Sequence, residues 1–356
     1  TGSTTGSYSF RLFDLAQASA LSFTAGGTAA VTGQLSPANE TDLYSFTAAA
    51  GNPFYFDFVS LSPASSATWR LLDPFGGTVF GPTTLSSDAG LLTLPYTGSY
   101  TLLVEGMVTA TNTTGYSLNV QKVSDDSTAL ALGTSVSSTI AQAGQRDFYT
   151  FTLAQAKLVY FDSLTNNTTL TWALSGPRGA VVLPRTFAAS DSTSNVVLAT
   201  AALDLVPGDY TLIVDAPDDQ APSYSFRLFD LTQASPITLG TAVNGQLNPV
   251  NETDLYAFTA TAGDRFYFDF LSLTSGSTAT WRLLDPFGNT TFGPTALNAG
   301  DVGLMTLAYT GNYTLLVEAR IDAASIASYA FNAQPVPPTA KIILSGLGTE
   351  PGPDLV

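Results

Sequence analysis

Asn39, Glu40 and Asp42, repeated in the same order as Asn251, Glu252 and Asp254, place clustered oxygen donors on a loop that leads into an apolar run. Side-chain oxygens of this kind suit a hard cation such as calcium, which takes about six to eight of them. The same residues can serve the backbone instead. Asp42, Asp147 and Asp254 would then accept from turn amides and Glu40 would point to water. No cofactor is required on either reading; calcium is the one the donors could hold. A second set is aromatic: Trp69, Trp172 and Trp281, Tyr100, Tyr210 and Tyr313, and Tyr8, Tyr116, Tyr224 and Tyr329. Aromatic faces can stack on a polysaccharide or grip a matrix protein. The tryptophans hold equivalent places among strand residues, as core anchors would, and a tyrosine near a sandwich corner commonly bonds the backbone.

Several chemistries are excluded. The chain has neither histidine nor cysteine, which removes Ser-His-Asp and Cys-His nucleophiles and the usual zinc sites. No glycine-rich phosphate loop follows a strand and opens a helix. The expectation is a protein that is not an enzyme. A formal net charge of -16, drawn from 28 acidic and 12 basic residues among 356, repels phosphate backbones and anionic lipid. Neither nucleic acid nor membrane insertion is expected, since no apolar run approaches the length of a span. Asn-x-Thr sequons stand at Asn39, Asn112, Asn166, Asn167, Asn251, Asn289 and Asn312, and would matter only in a glycosylating host.

The elements that must position these residues recur along the chain. NETDLYSF at Asn39 to Phe46 returns as NETDLYAF at Asn251 to Phe258 and, degraded, as GQRDFYTF at Gly144 to Phe151. FYFDF at Phe54 and Phe266 is answered by VYFDS at Val159, TWRLLDPFG at Thr68 and Thr280 by TWALSGPRG at Thr171, and GSYTLLVE at Gly98 by GDYTLIVD and GNYTLLVE. YSFRLFDL at Tyr8 to Leu15 stands again, letter for letter, at Tyr224 to Leu231. Internal periods of this kind mean tandem modules. The expected units are 1–20, the closing strand of a preceding repeat; 21–122, 123–229 and 230–335, three repeats with the middle one diverged; and 336–356, a linker into a following domain. A chain opening on an unaccompanied closing strand is expected to be an excerpt of a longer polypeptide.

Val, Thr, Tyr, Phe and Leu alternate with small polar residues between Gly, Pro, Asn and Asp punctuation, so the reading is strand throughout. Ala188 to Leu205 reads as a loop with a strand. DPFG at Asp73 suits a type I turn. LYSFTAAAGNPFYFDF reads as a hairpin with Tyr44 opposite Phe58, Phe46 opposite Phe56, and Asp57 opposite Ser45 on a wet outer face. By the same register Asp162 faces Thr150 and Asp269 faces Ala257. The fold class is all-β: three tandem antiparallel β-sandwiches in a rod.

The order of G-x-L, N-E-T-D-x-Y-x-F, an aromatic strand, a W-x-L-x-x-P-x-G turn, G-x-Y-T-L-x-V and a closing Y-x-F strand resembles the bacterial pre-peptidase C-terminal domain and related repeats of large secreted surface proteins. The resemblance covers residues from about 21 to 335. It implies a jelly-roll-like sandwich, export, and a non-catalytic role, with some members binding calcium or matrix proteins. The acidic E-P-N-D run that often opens that family's unit is absent; only Asp125 and Asp126 resemble it. Short links such as LFDLTQASPITLG imply neighbours in contact rather than floppy tethers. The function expected is an extracellular or cell-surface stalk, filament segment or adhesin spacer; the alternative is a carbohydrate- or matrix-protein-binding module appended to a secreted enzyme. Expected partners are neighbouring repeats or copies of the same protein, met through sheet edges. The strand at Tyr8 to Leu15 should pair with repeat 1 or complete a sheet in an adjoining molecule.

Overall fold

The computed structural model describes residues 8–190, 202–217 and 220–337. Alternation sets the architecture. In Thr68–Leu72 the side chains of Trp69 and Leu71 point inward and are fully buried, while Thr68, Arg70 and Leu72 point out. Strands patterned this way must lay one face on another sheet. Three sandwiches in tandem result, each a five-stranded sheet on a four-stranded one. In repeat 1 the five-stranded sheet runs Ser19–Ala20, Thr41–Ala48, Gly98–Glu105, Thr68–Leu72, Thr78–Thr84, and the four-stranded sheet runs Thr28–Leu35, Thr114–Lys122, Pro53–Ser62, Gly90–Thr93. Repeats 2 and 3 have the same order. Pairing is antiparallel, except that the first short strand of each repeat lies parallel to its neighbour. Apart from the hairpin of Thr68–Leu72 with Thr78–Thr84 and its copies, successive long strands alternate between the sheets, a jelly-roll-like arrangement.

That crossing corrects the expected hairpin. Thr41–Ala48 pairs with Gly98–Glu105, and Pro53–Ser62 pairs with Thr114–Lys122 and Gly90–Thr93. Phe46 therefore lies opposite Tyr100 in its own sheet and meets Phe54 across the core, with ring centroids 5.0 Å apart. Asp57 faces Asn119, Asp162 faces Arg227 and Asp269 faces Asn332. Two strands that must both bury an aromatic face can do so side by side or face to face, and the residues alone do not choose. The chain turns over the sandwich rim rather than within a sheet.

The cores follow the aromatic pattern. Trp69, Trp172 and Trp281 are buried in all three repeats, and truncating a buried ring of this size to alanine costs about 3–5 kcal/mol. The corner tyrosines bond backbone as expected. Tyr100, Tyr210 and Tyr313 donate to the carbonyls of Tyr96, Val206 and Tyr309 at 2.8, 2.8 and 3.0 Å. DPFG closes as a turn, with Gly76 N donating to Asp73 O at 3.0 Å and the Asp73 carboxylate accepting from Phe75 N. In repeat 2 Val182 stands where repeats 1 and 3 place Phe80 and Phe292. Trp172 there stacks on Phe161 at 3.8 Å, whereas Trp69 meets Phe80 edge-on at 5.3 Å. A smaller neighbour is offset by a tilt of the indole.

The sandwiches stand sheet against sheet. The outward sides of the four-stranded sheets of repeats 1 and 2 face the five-stranded sheets of repeats 2 and 3, so outer faces expected to be wet form the two junctions. Val123 to Asp125 links repeats 1 and 2, and the turn Leu231–Gln233 with Ala234 links repeats 2 and 3. Among the described residues there is no α-helix, and no helix is long and apolar enough to cross a membrane. Most of the stretch Ala188 to Leu205 and nearly all of the expected linker 336–356 lie outside the described residues; within them stand a single turn at Phe187–Ala189 and the strand Leu203–Leu205.

Candidate functional site

The aspartates at the strand entrances point inward, and each meets a tyrosine pair. Tyr116 donates to Asp42 at 2.6 Å and lies 2.6 Å, hydroxyl to hydroxyl, from Tyr44. Tyr329 donates to Asp254 at 2.6 Å and pairs with Tyr256 at 2.6 Å. In repeat 2 Tyr224 donates to Asp147 and pairs with Tyr149 at 2.7 Å. Turn amides, the backbone partners expected for these carboxylates, are thus replaced by phenols that reach across from the other sheet. Burial raises the pKa values of Asp42 and Asp254, against the lowering effect of the tyrosine hydroxyls. The glycine of G-x-L follows from this network: a Cβ on Gly33 would stand 2.3 Å from the Tyr116 hydroxyl, and one on Gly245 2.3 Å from that of Tyr329. Closing tyrosine, D-x-Y and G-x-L are one construction written in three places.

The other donors go elsewhere. Glu40 accepts from Ser36 N at 2.5 Å and Glu252 from Asn248 N at 2.6 Å, each holding its loop. Asn39 is exposed, whereas Asn251 and Glu252 are buried because repeat 2 lies over them. No group of three or more His, Cys, Asp and Glu side chains able to hold a metal comes together among the described residues.

Sequence reasoning missed the densest polar cluster, at the junction of repeats 2 and 3. Arg282 and Glu318 stand on neighbouring strands of repeat 3, and Arg282 Nε donates to Glu318 Oε2 at 2.6 Å while Nη2 bonds Oε1. Their side chains are 1 % and 0 % exposed. Tyr160 of repeat 2 donates its hydroxyl to Glu318 Oε1 at 2.7 Å, and the guanidinium of Arg282 lies 6.0 Å from its ring centre. Arg227 bridges the same junction, reaching Asp162 at 3.0 Å within its repeat and Glu252 at 2.9 Å in the next. Its guanidinium covers Phe229 at 4.7 Å. Around these charges pack Leu231, Leu255, Leu284, Leu316 and Ala202. Burial pushes the Asp162 carboxyl up to about 7, with Arg227 pulling the other way; Glu252 is raised for the same reason. The signal was present: in a chain with so few charges, Arg and Glu inside apolar strands mark outward positions that something covers.

The junction of repeats 1 and 2 is built differently. Gly144 comes against Tyr55, Leu91 and Val123, and Gln142 donates to Gly26 O. Beside these contacts opens a cleft of about 620 Å³ lined by Tyr55, Leu91, Asp125, Arg146 and Asp215. Arg146 pairs with Asp125 at 2.7 Å with 44 % of its side chain exposed. Gln121, at the place of Phe229, is spent locally on the carbonyls of Gly26 and Lys122.

Two pairs of exposed aromatics stand at equivalent places in repeats 1 and 3. Phe75 and Tyr96 meet edge-on at 5.2 Å, as do Phe287 and Tyr309. Repeat 2 has Arg178 and Val206 at these places.

No family model matches the chain, and no curated protein matches it. Solved structures do. A periplasmic inhibitor of g-type lysozyme, PliG, from Aeromonas hydrophila is 20 % identical, covering 29 % of this chain and 94 % of its own, with a TM-score of 0.23. PliG from Salmonella Typhimurium is 21 % identical over the same shares, with a TM-score of 0.20. The M60 catalytic domain with two CBM51 domains from Clostridium perfringens ZmpB is 8 % identical, covering 84 % of this chain and 34 % of that one, with a TM-score of 0.18. These scores are too low to carry either protein's fold or activity onto this chain.

Proposed function

We propose that the chain is a non-catalytic, extracellular spacer: a stalk, filament segment or adhesin arm whose product is reach. The observation that carries this is the buried Tyr160, Glu318, Arg282 network, which locks two sandwiches in one orientation. Opening this joint would strip Glu318 of its hydrogen bond from Tyr160 and Glu252 of its pairing with Arg227, and a buried carboxylate that loses such a partner is costly. Short links and sheet-on-sheet contact add to the stiffness. The absence of histidine and cysteine supports the non-catalytic reading, and the sparsely charged, acidic coat limits nonspecific contact. On this reading the carboxylates Glu40, Asp42, Glu252 and Asp254 hold their loops and strand entrances, and calcium is not needed. Small-angle scattering of the chain should give one elongated particle whose dimensions do not change with calcium or chelator. A broad distribution of bent forms would end the proposal.

A second reading is favoured by the exposed pairs Phe75 with Tyr96 and Phe287 with Tyr309: a module binding polysaccharide or a matrix protein, appended to a secreted enzyme. Edge-on aromatic pairs offer an apolar surface with polar margins. Glycan-array binding that is lost in Phe75→Ala with Phe287→Ala, with the melting curve unchanged, would establish it.

A further inference from the structure

We propose that the outward face of repeat 1's five-stranded sheet is a docking surface for a sandwich of the repeat 2 kind, with residues 8–14 of this chain serving as that sandwich's closing strand. The face itself is the first ground. Leu43, Leu72, Leu103, Arg70, Glu105 and Glu40 occupy the positions that Leu255, Leu284, Leu316, Arg282, Glu318 and Glu252 hold in repeat 3. The registers agree, with Arg70 opposite Leu103 and Arg282 opposite Leu316. Arg70 makes the same two-pronged pair with Glu105, at 2.6 and 2.8 Å. The one difference is cover: the side chains of Arg70 and Glu105 are 33 % and 20 % exposed, where the copies under repeat 2 are sealed.

The strand is the second ground. Asp14 caps the turn Leu15–Gln17 by accepting from Ala16 N at 3.0 Å, as Asp230 accepts from Thr232 N at 3.0 Å. Ser19 and Ala20 then pair with Tyr44 and Ser45, as Ser235 and Pro236 pair with Tyr256 and Ala257. The exit from the strand is therefore set, while the strand itself makes no ladder with repeat 1 and Tyr8, Phe10 and Leu12 are 87 %, 81 % and 91 % exposed. Their counterparts Tyr224, Phe226 and Leu228 are buried core. Arg11 stands where Arg227 does and Glu40 where Glu252 does, so the bridge that Arg227 makes across the existing junction has both its ends in place here.

The third ground is selectivity. Two kinds of closing sheet occur. That of repeat 2 carries Arg227 and Phe229, and its Tyr160 reaches across to the next repeat. Those of repeats 1 and 3 carry Asn119 with Gln121 and Asn332 with Gln334, and their outward tyrosines are tied at home, Tyr55 to Asp88 at 3.0 Å and Tyr267 to Asp301 at 2.6 Å. The Asn–Gln kind meets repeat 2, whose receiving face has Gln145, Ala173, Ser175 and Asp215 in place of Glu, Arg, Leu and Glu. The Arg–Phe kind meets the Leu, Arg and Glu face. Residues 8–14 are of the Arg–Phe kind. A second copy of this chain offers, at repeat 3, only an Asn–Gln sheet, and is the wrong occupant.

The test lengthens the chain by a copy of residues 123–222 placed directly before Ser7, with hydrogen exchange read across both chains. Amides of residues 8–14 and of the strand Gly98–Glu105 should gain about 100-fold in protection, and Glu105→Gln should lower the melting temperature of the lengthened chain but not of the chain itself. Residues 8–14 exchanging at the same rate in both chains, or an added body that stays unfolded, overturns the proposal. Concentration-dependent association of the original chain that is lost in Glu105→Arg would put a second copy on the face, and overturns the assigned occupant. The proposal rests on the stacked-array reading, and Glu318→Gln separates the two. If that change leaves the junction of repeats 2 and 3 unaltered, the array reading itself fails; if it loosens that junction while residues 8–14 stay unprotected in the lengthened chain, only the docking fails.

Discussion

The two junctions are made from the same pair of sheets, yet one is dry and one is wet. Between repeats 2 and 3, charged side chains are sealed under leucines and satisfied across the boundary. Between repeats 1 and 2 Ala173 stands where Arg282 does, the charges present (Asp125, Arg146 and Asp215) line an open cleft, and Tyr55, Gln121 and Asp57 bond within their own repeat. The lesson is that fold alone does not make a rigid joint. What differs is whether outward-facing strand residues find their hydrogen-bond partners at home or next door.

The largest expected effect breaks the dry joint. Arg282→Ala leaves Glu318 buried without its cation and should cost about 3–5 kcal/mol, read as a shifted denaturation midpoint. The same change at its partly exposed copy, Arg70→Ala, should cost less than about 1 kcal/mol. Equal costs would erase the distinction between covered and uncovered faces. Tyr160→Phe removes one hydrogen bond to a carboxylate and should cost about 1.5–3 kcal/mol, again by denaturation.

The dry joint should also sense pH. The Asp162 carboxyl titrates higher when folded, near 7, than in an unfolded chain, near 3.9. A raised folded value stabilises fully below the unfolded one, and that contribution is lost as pH rises through about 7. Melting should therefore fall between pH 5 and pH 8, by at most about 1.4 kcal/mol per pH unit, and Asp162→Asn should flatten the profile. At the wet joint, Arg146→Ala should change stability by under about 1 kcal/mol, less still at high salt. Smallest of all, added calcium or chelator should leave the melting temperature of the chain unmoved.

Much of this was legible before any coordinates. Tandem spacing, the sandwich class, the tryptophan anchors and the corner tyrosines follow from repeated motifs and from period-two alternation. Partner strands did not. Phe46 and Phe54 announce that they share a core, but not that they reach it from opposite sheets. The aspartates announced polar chemistry at strand entrances, yet their tyrosine partners lie some seventy residues away in sequence, where no local rule looks. The Arg and Glu of TWRLL and TLLVE were visible as charges within apolar strands. What covers them belongs to a neighbouring repeat, and no single unit's pattern records its neighbour.

Matched faces constrain how such a protein can change length over evolutionary time. Recombination that removed or added a single sandwich would set an asparagine-bearing closing sheet against a leucine-faced receiver, or an arginine against a surface lacking its glutamate. Excision or gain of two sandwiches together preserves every contact. Growth and shrinkage should therefore proceed in pairs, with the odd step filtered out at the seam.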